Sequence, residues 1–127
     1  MTGDDPIVHL ALPEDWAQSF ASGEYRMSTR GATLDEVGFI HCSTPEQLVG
    51  TANRFYADLE QLVVLTIDPA LVPSPIVFEP PAPDATTLFP HIYGPLPIAA
   101  VNRAAPWRRA VGSAWSLDHA ELAGEPG

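Results

Sequence analysis

The chain has 127 residues, 46% of them hydrophobic, enough for one buried core and short for two. The formal net charge is -10, and all six basic residues are arginine, so the surface repels phosphate backbones and general nucleic-acid binding is not expected. No apolar run is long enough for a membrane span, and the acidic start Met1-Thr2-Gly3-Asp4-Asp5 lacks the basic and apolar regions of a signal peptide. With Cys42 as the single cysteine no internal disulfide can form, which fits a reducing cytoplasmic setting without membrane attachment.

Pro6 to Leu10 reads as a first strand carrying His9. Pro13-Glu14-Asp15-Trp16 opens a helix, with Pro in the first turn and acids near the positive end of the dipole, and Gly23 stops it. The polar stretch from Glu24 to Val37 has no clear period. It reads as a loop in which Arg26 or Arg30 can reach an anionic ligand.

Gly38-Phe39-Ile40-His41-Cys42-Ser43-Thr44 then runs as a strand into a second helix. Thr44 is a suitable N-cap, Pro45 suits the first helical position, and Gln47 completes a capping box. Side chains alternate along a strand, so Phe39, His41 and Ser43 share one face while Ile40 and Cys42 share the other. His41 and Cys42 therefore point apart and make a poor thiolate–imidazole pair, and Cys42 is expected to pack inward. Ser43 and Thr44, at the helix start, can hold an anion together with Arg30.

The near-continuous apolar run from Gln61 to Asp68 suggests a central strand buried on both faces. Pro75 to Glu79 is a further strand, and Asp84 to Thr87 a turn. In Phe89-Pro90-His91-Ile92-Tyr93-Gly94-Pro95-Leu96, His91 and Tyr93 share a face, and the prolines suit an edge strand or a crossing segment. Ile98 to Val101 reads as the last strand, and Pro106-Trp107-Arg108-Arg109 as a cover for one end of the core. Residues 118–127 read as a flexible C-terminal tail. The pattern is one α+β domain over residues 5–117, with two helices in the first half followed mostly by strands.

There is no glycine-rich phosphate loop and no Gly-x-Ser-x-Gly elbow. No pair among His9, His41, His91 and Glu79 has the spacing of a zinc motif, so no metal is expected. An unpaired histidine is costly to bury, so His9, His41 and His91 are expected to converge on one cleft.

Ile7-Val8-His9, Trp16, Gly38-Phe39-Ile40-His41-Cys42-Ser43, Glu79 and Phe89-Pro90-His91-Ile92-Tyr93-Gly94-Pro95-Leu96 together resemble a small bacterial family catalogued as domain of unknown function 952. The resemblance runs in order from about Ile7 to Trp107. It implies the ADP-ribosyltransferase and RNA 2′-phosphotransferase fold, a split and mainly antiparallel sheet whose cleft takes NAD or an ADP-ribosylated intermediate. By position, His9 is similar to that fold's first-strand histidine, which contacts the nicotinamide-side ribose. His41 is similar to its second-strand Tyr or His, and Glu79 to the catalytic Glu. Leu10 stands where a Gly usually follows the first-strand His.

This resemblance implies an enzyme of transferase or NAD-glycohydrolase type with NAD as substrate. The residues and the resemblance together make His41, His91 and Glu79 the catalytic candidates and His9, Ser43, Thr44, Tyr93 and Arg30 the ligand contacts, although His91 and Tyr93 have no firm counterpart in the classical transferases. Two alternatives stand beside it. One is a non-catalytic nucleotide or metabolite-binding module; the other is an unrelated small-molecule hydrolase or isomerase using His41 and His91 as acid and base. In each case the partner is a small, nucleotide-like molecule or another metabolite, and the oligomeric state is left open.

Overall fold

The structure, a computed structural model, describes residues 5–117. The expected tail, 118–127, lies outside the described residues.

Strand β1 (Ile7–Ala11) leads into helix α1 (Pro13–Ser22), which Pro13 opens and Gly23 closes at φ 84°. The stretch read as a loop is more ordered than its polarity suggests. It holds β2 (Glu24–Tyr25), the hairpin β3 (Met27–Thr29) and β4 (Ala32–Thr33), and a one-turn helix α2 (Leu34–Val37). A capping box starts α2, with Thr33 accepting from the Glu36 amide and the Glu36 side chain reaching back to Thr33 N–H, and Gly38 ends it at φ 104°. The first half therefore holds three α-helices rather than two. The extra one is too short for an apolar period, and its evidence in sequence is the Thr33/Glu36 pair.

Strand β5 (Ile40–His41) passes through a 3₁₀ turn (Pro45–Gln47) into α3 (Leu48–Phe55). After α3 come β6 (Gln61–Ile67), β7 (Ile76–Glu79), β8 (Phe89–Ile92), β9 (Leu96–Pro97) and β10 (Val101–Arg108).

Two three-stranded antiparallel sheets make the frame. In the first, β6 lies between β1 and β10, with Ile7 opposite Ile67 and Arg108 opposite Gln61. This is the central position expected from its apolar run. Alternation divides its side chains between two apolar layers. Val63, Leu65 and Ile67 join Ile7, Ile40, Cys42 and Ile92 in one, while Leu62 and Val64 join Leu48, Ala52, Trp107 and Trp115 in the other. Each large side chain so buried contributes about 1.5–3 kcal/mol of transfer free energy.

In the second sheet β8 lies between β5 and β7. This corrects the edge or crossing position inferred from Pro90. Continuing the β5–β8 register puts Pro90 opposite Cys42, where the Pro90 carbonyl accepts from the Cys42 amide at 3.0 Å. The donor that Pro90 lacks is thus missing where the β5 ladder already ends, so the central strand loses little.

The final strand is also displaced from the expected position. Ile98–Ala100 is a 3₁₀ turn, and the strand runs on through Pro106 and Trp107. Pro106 is tolerated because β10 is an edge strand, paired only with β6. Among the described residues a single bridge joins the two sheets: Val8 and Ser43 exchange both backbone hydrogen bonds at 2.8 Å. The fold is α+β and mainly antiparallel, split at this bridge.

Candidate functional site

Beside the Val8–Ser43 bridge lies a cleft of about 770 Å³, walled by β1, β5, α3 and residues 81–85. Alternation from β5 onward works as expected for burial: Ile40 and Cys42 belong to the core, while His41 is half-buried and faces the cleft with Ser43; Cys42 also touches the cleft wall. Burial pushes the Cys42 thiol well above its ordinary range.

His91 lies directly across from His41, their ring centroids 5.2 Å apart in an edge-on arrangement. Phe39 lies flat over His91 at 4.1 Å, leaving that histidine 1% exposed. His91 Nδ1 donates to Glu79 at 2.7 Å, and the same carboxylate oxygen accepts from the Tyr93 hydroxyl. Hydrogen bonds from Tyr93 and His91 hold the Glu79 carboxyl below its usual range, and the carboxylate raises the Tyr93 hydroxyl in turn. His91 Nε2 is buried with no partner. Burial, with His91 adding to it, lowers His41 below the ordinary histidine value.

His9 is 2% exposed and has both ring nitrogens engaged. Nδ1 lies 2.5 Å from the His41 carbonyl oxygen and must donate, so Nε2 accepts from the Tyr25 hydroxyl at 2.9 Å. Desolvation brings its pKa down to about 4 and keeps the ring neutral. The three histidines lie together, but the expected convergence on one cleft holds for two of them. His41 and His9 line the cleft, His9 also bracing the His41 backbone, whereas His91 packs against His41 under Phe39 and does not line it.

The remaining predicted contacts divide. Ser43 lines the cleft, and its hydroxyl lies 3.2 Å from that of Thr51. Thr44 is buried outside the lining, its amide donating to the Gln47 side chain at 2.9 Å. Tyr93 and Glu79 are bonded to each other and do not line the cleft. Arg30 is a strut: it grips Asp58 through both terminal guanidinium nitrogens at 2.7 and 3.0 Å, and it does not line the cleft.

Sequence reasoning missed the α3 wall. Gly50, Thr51 and Arg54 line the cleft from this helix, and Gln47 from the 3₁₀ turn that leads into it. Their spacing of three and four is the polar face of an amphipathic helix, a pattern ordinarily taken for a solvent face. Among the described residues no three His, Cys, Asp or Glu side chains form a ligand set for a metal. No helix among them is long and apolar enough to cross a membrane.

Residues 10–104 match the family described as Protein of unknown function (DUF952). The chain belongs to this family. Among solved structures, the DUF952 chain is similar to protein CC0527 from Caulobacter crescentus. A crystal structure of that protein is 26% identical, with a TM-score of 0.72, covering 88% of this chain and 94% of the other. A solution NMR structure of it is 25% identical, with a TM-score of 0.69, covering 93% and 97%. No curated protein matches this DUF952 chain.

Proposed function

We propose that the cleft binds a small molecule of nucleotide type, NAD or an ADP-ribose derivative, and that His41 acts on it as a general base. One observation carries this reading. A half-buried histidine faces a cleft large enough for such a ligand, and its ring rests against a second histidine held by a carboxylate. The lowered pKa keeps His41 neutral at pH 7, the form that accepts a proton. With NAD, water attacks the ribose anomeric carbon as its bond to nicotinamide breaks. Neutral nicotinamide leaves, and the water's proton passes to His41. His91, fixed through Nδ1 by Glu79, orients the His41 ring. The split antiparallel sheet supports the likeness to ADP-ribosyltransferases at the level of architecture.

A binding module without catalysis is the second reading, and one observation favours it. Glu79, which the sequence resemblance likens to a transferase glutamate, is engaged by His91 and Tyr93 and does not line the cleft. Thermal shift with NAD, ADP-ribose and AMP tests binding, and nicotinamide release from NAD tests chemistry. The enzyme reading expects stabilisation by NAD and nicotinamide release that His41→Ala abolishes. Stabilisation without release leaves the module, and no stabilisation by any of the three overturns the nucleotide class.

A further inference from the structure

We infer that Arg54, Thr51 and Ser43 form an oxyanion-binding subsite in the cleft, which takes a phosphoryl group of the ligand. The inference rests on the cleft being a ligand site and names the part of the ligand that α3 recognises.

The first argument is charge. In a chain of net charge -10, basic side chains have many acids to pair with, and two of the arginines do so. Arg26 pairs with Glu24 and Asp35, and Arg30 with Asp58. Arg109 donates to the carbonyls of Leu59, Ala110 and Ser113. Arg54 has no carboxylate partner among the described residues, only the face of Phe55 at 5.2 Å, and it lines the cleft. A guanidinium presented on a concave wall is suited to a phosphate or carboxylate, which it can grip through two parallel N–H bonds.

The second argument is proton count. Thr51 stands three residues before Arg54, on the same face of α3. Its hydroxyl and that of Ser43 share one hydrogen bond at 3.2 Å. Two hydroxyls carry two protons, and this bond uses one. The other is left to donate, from the same part of the wall as Arg54.

The third argument is space. Gly50, also on the cleft wall, has nothing within 4 Å of where a Cβ would stand. Glycine in a helix interior costs about 1 kcal/mol against alanine. At Gly50 it keeps the helix surface low beside Thr51, so a ligand group can approach the backbone. Asp84, on another part of the wall, carries the opposite charge. The cleft is therefore polarised: an oxyanion is drawn to α3, and hydroxyl or amide N–H groups are drawn toward Asp84.

The test is an amide and side-chain NMR titration of the full chain with inorganic pyrophosphate and, separately, with ADP-ribose. Wild type, Arg54→Gln and Arg108→Gln are compared. Arg108 is exposed on β10 and controls for the loss of one positive charge. Both probes are expected to shift the Ser43, Thr51 and Arg54 signals. Arg54→Gln should weaken both about tenfold or more, the usual scale for losing a charged hydrogen-bond partner, while Arg108→Gln changes little. If ADP-ribose shifts His41 and binds Arg54→Gln as well as wild type, the subsite is overturned and the cleft reading stands. Equal weakening by both variants reduces the effect to general charge and also overturns it. If neither probe shifts any cleft residue, the subsite and the nucleotide reading fall together.

Discussion

At the scale of single residues, His9 sits neutral and fully hydrogen-bonded in the core, and its ionisation ties stability to pH. Its folded pKa of about 4 lies below the ordinary 6.5, so below pH 6.5 the unfolded chain takes up a proton that the folded chain refuses. Stability is fully present above 6.5 and is lost as pH falls toward 4, by about 3 kcal/mol from this group. His41 shifts in the same direction and adds to the loss. Urea unfolding at pH 7.5, 5.5 and 4.5 should show the decline. His9→Gln should start less stable but fall less over the same interval; an unchanged slope would mean that His9 is not the proton acceptor. Cys42 offers a second test. It is 4% exposed and packs into the core just after β5, so a thiol reagent should label it only as fast as the chain unfolds. Rapid labelling of the native protein would place it outside the core.

At the scale of elements, two glycines behave oppositely. Gly50 lies in α3 with open space where its Cβ would go, so Gly50→Ala should stabilise by about 0.5–1 kcal/mol, seen as a higher midpoint in thermal melts. Gly94 follows β8, where a Cβ would come within 2.6 Å of the Ser74 Cβ. A rotamer change cannot relieve that overlap, because Cβ does not move with χ1. Gly94→Ala should therefore cost about 1–3 kcal/mol by forcing the backbone apart, measured by urea unfolding. This gives the glycine of the Phe89–Leu96 motif a packing role, whatever the ligand is. The His91–Glu79–Tyr93 chain belongs to the same scale: β7 and β8 bring the carboxylate to the histidine through their register, with Glu79 opposite Phe89 and Val77 opposite His91.

At the scale of the whole molecule, the two layers of core are closed by different parts of the chain. Trp115, outside any strand or helix, caps the α3 layer. Its ring lies 4.7 Å from that of Trp107, its indole N–H donates to the Tyr56 carbonyl at 2.8 Å, and Asn53 holds its backbone from α3. Trp115→Ala should cost about 3–5 kcal/mol and expose Trp107, shifting the native tryptophan emission to the red. A loss within a few tenths of a kcal/mol would mean that the segment does not seal the core.

What could be read locally was read well where a short period carries the information. Alternation over Phe39–Ser43 separates His41 and Ser43 from Ile40 and Cys42, Pro13 and Gly23 bound α1, and the apolar run of β6 marks a strand buried on both faces. Such patterns say which side chains share a face. They do not say what that face meets, because the pairings that decide it span long separations: 35 residues between Val8 and Ser43, and 50 between His41 and His91. Pro90 therefore looked like an edge residue until its missing donor fell at the end of the β5 ladder. The polar face of α3 carries no local sign of the cleft that β1 and β5 place before it. Arg30 looked available for a ligand until the fold brought it to Asp58, and Arg54 was left for the cleft instead.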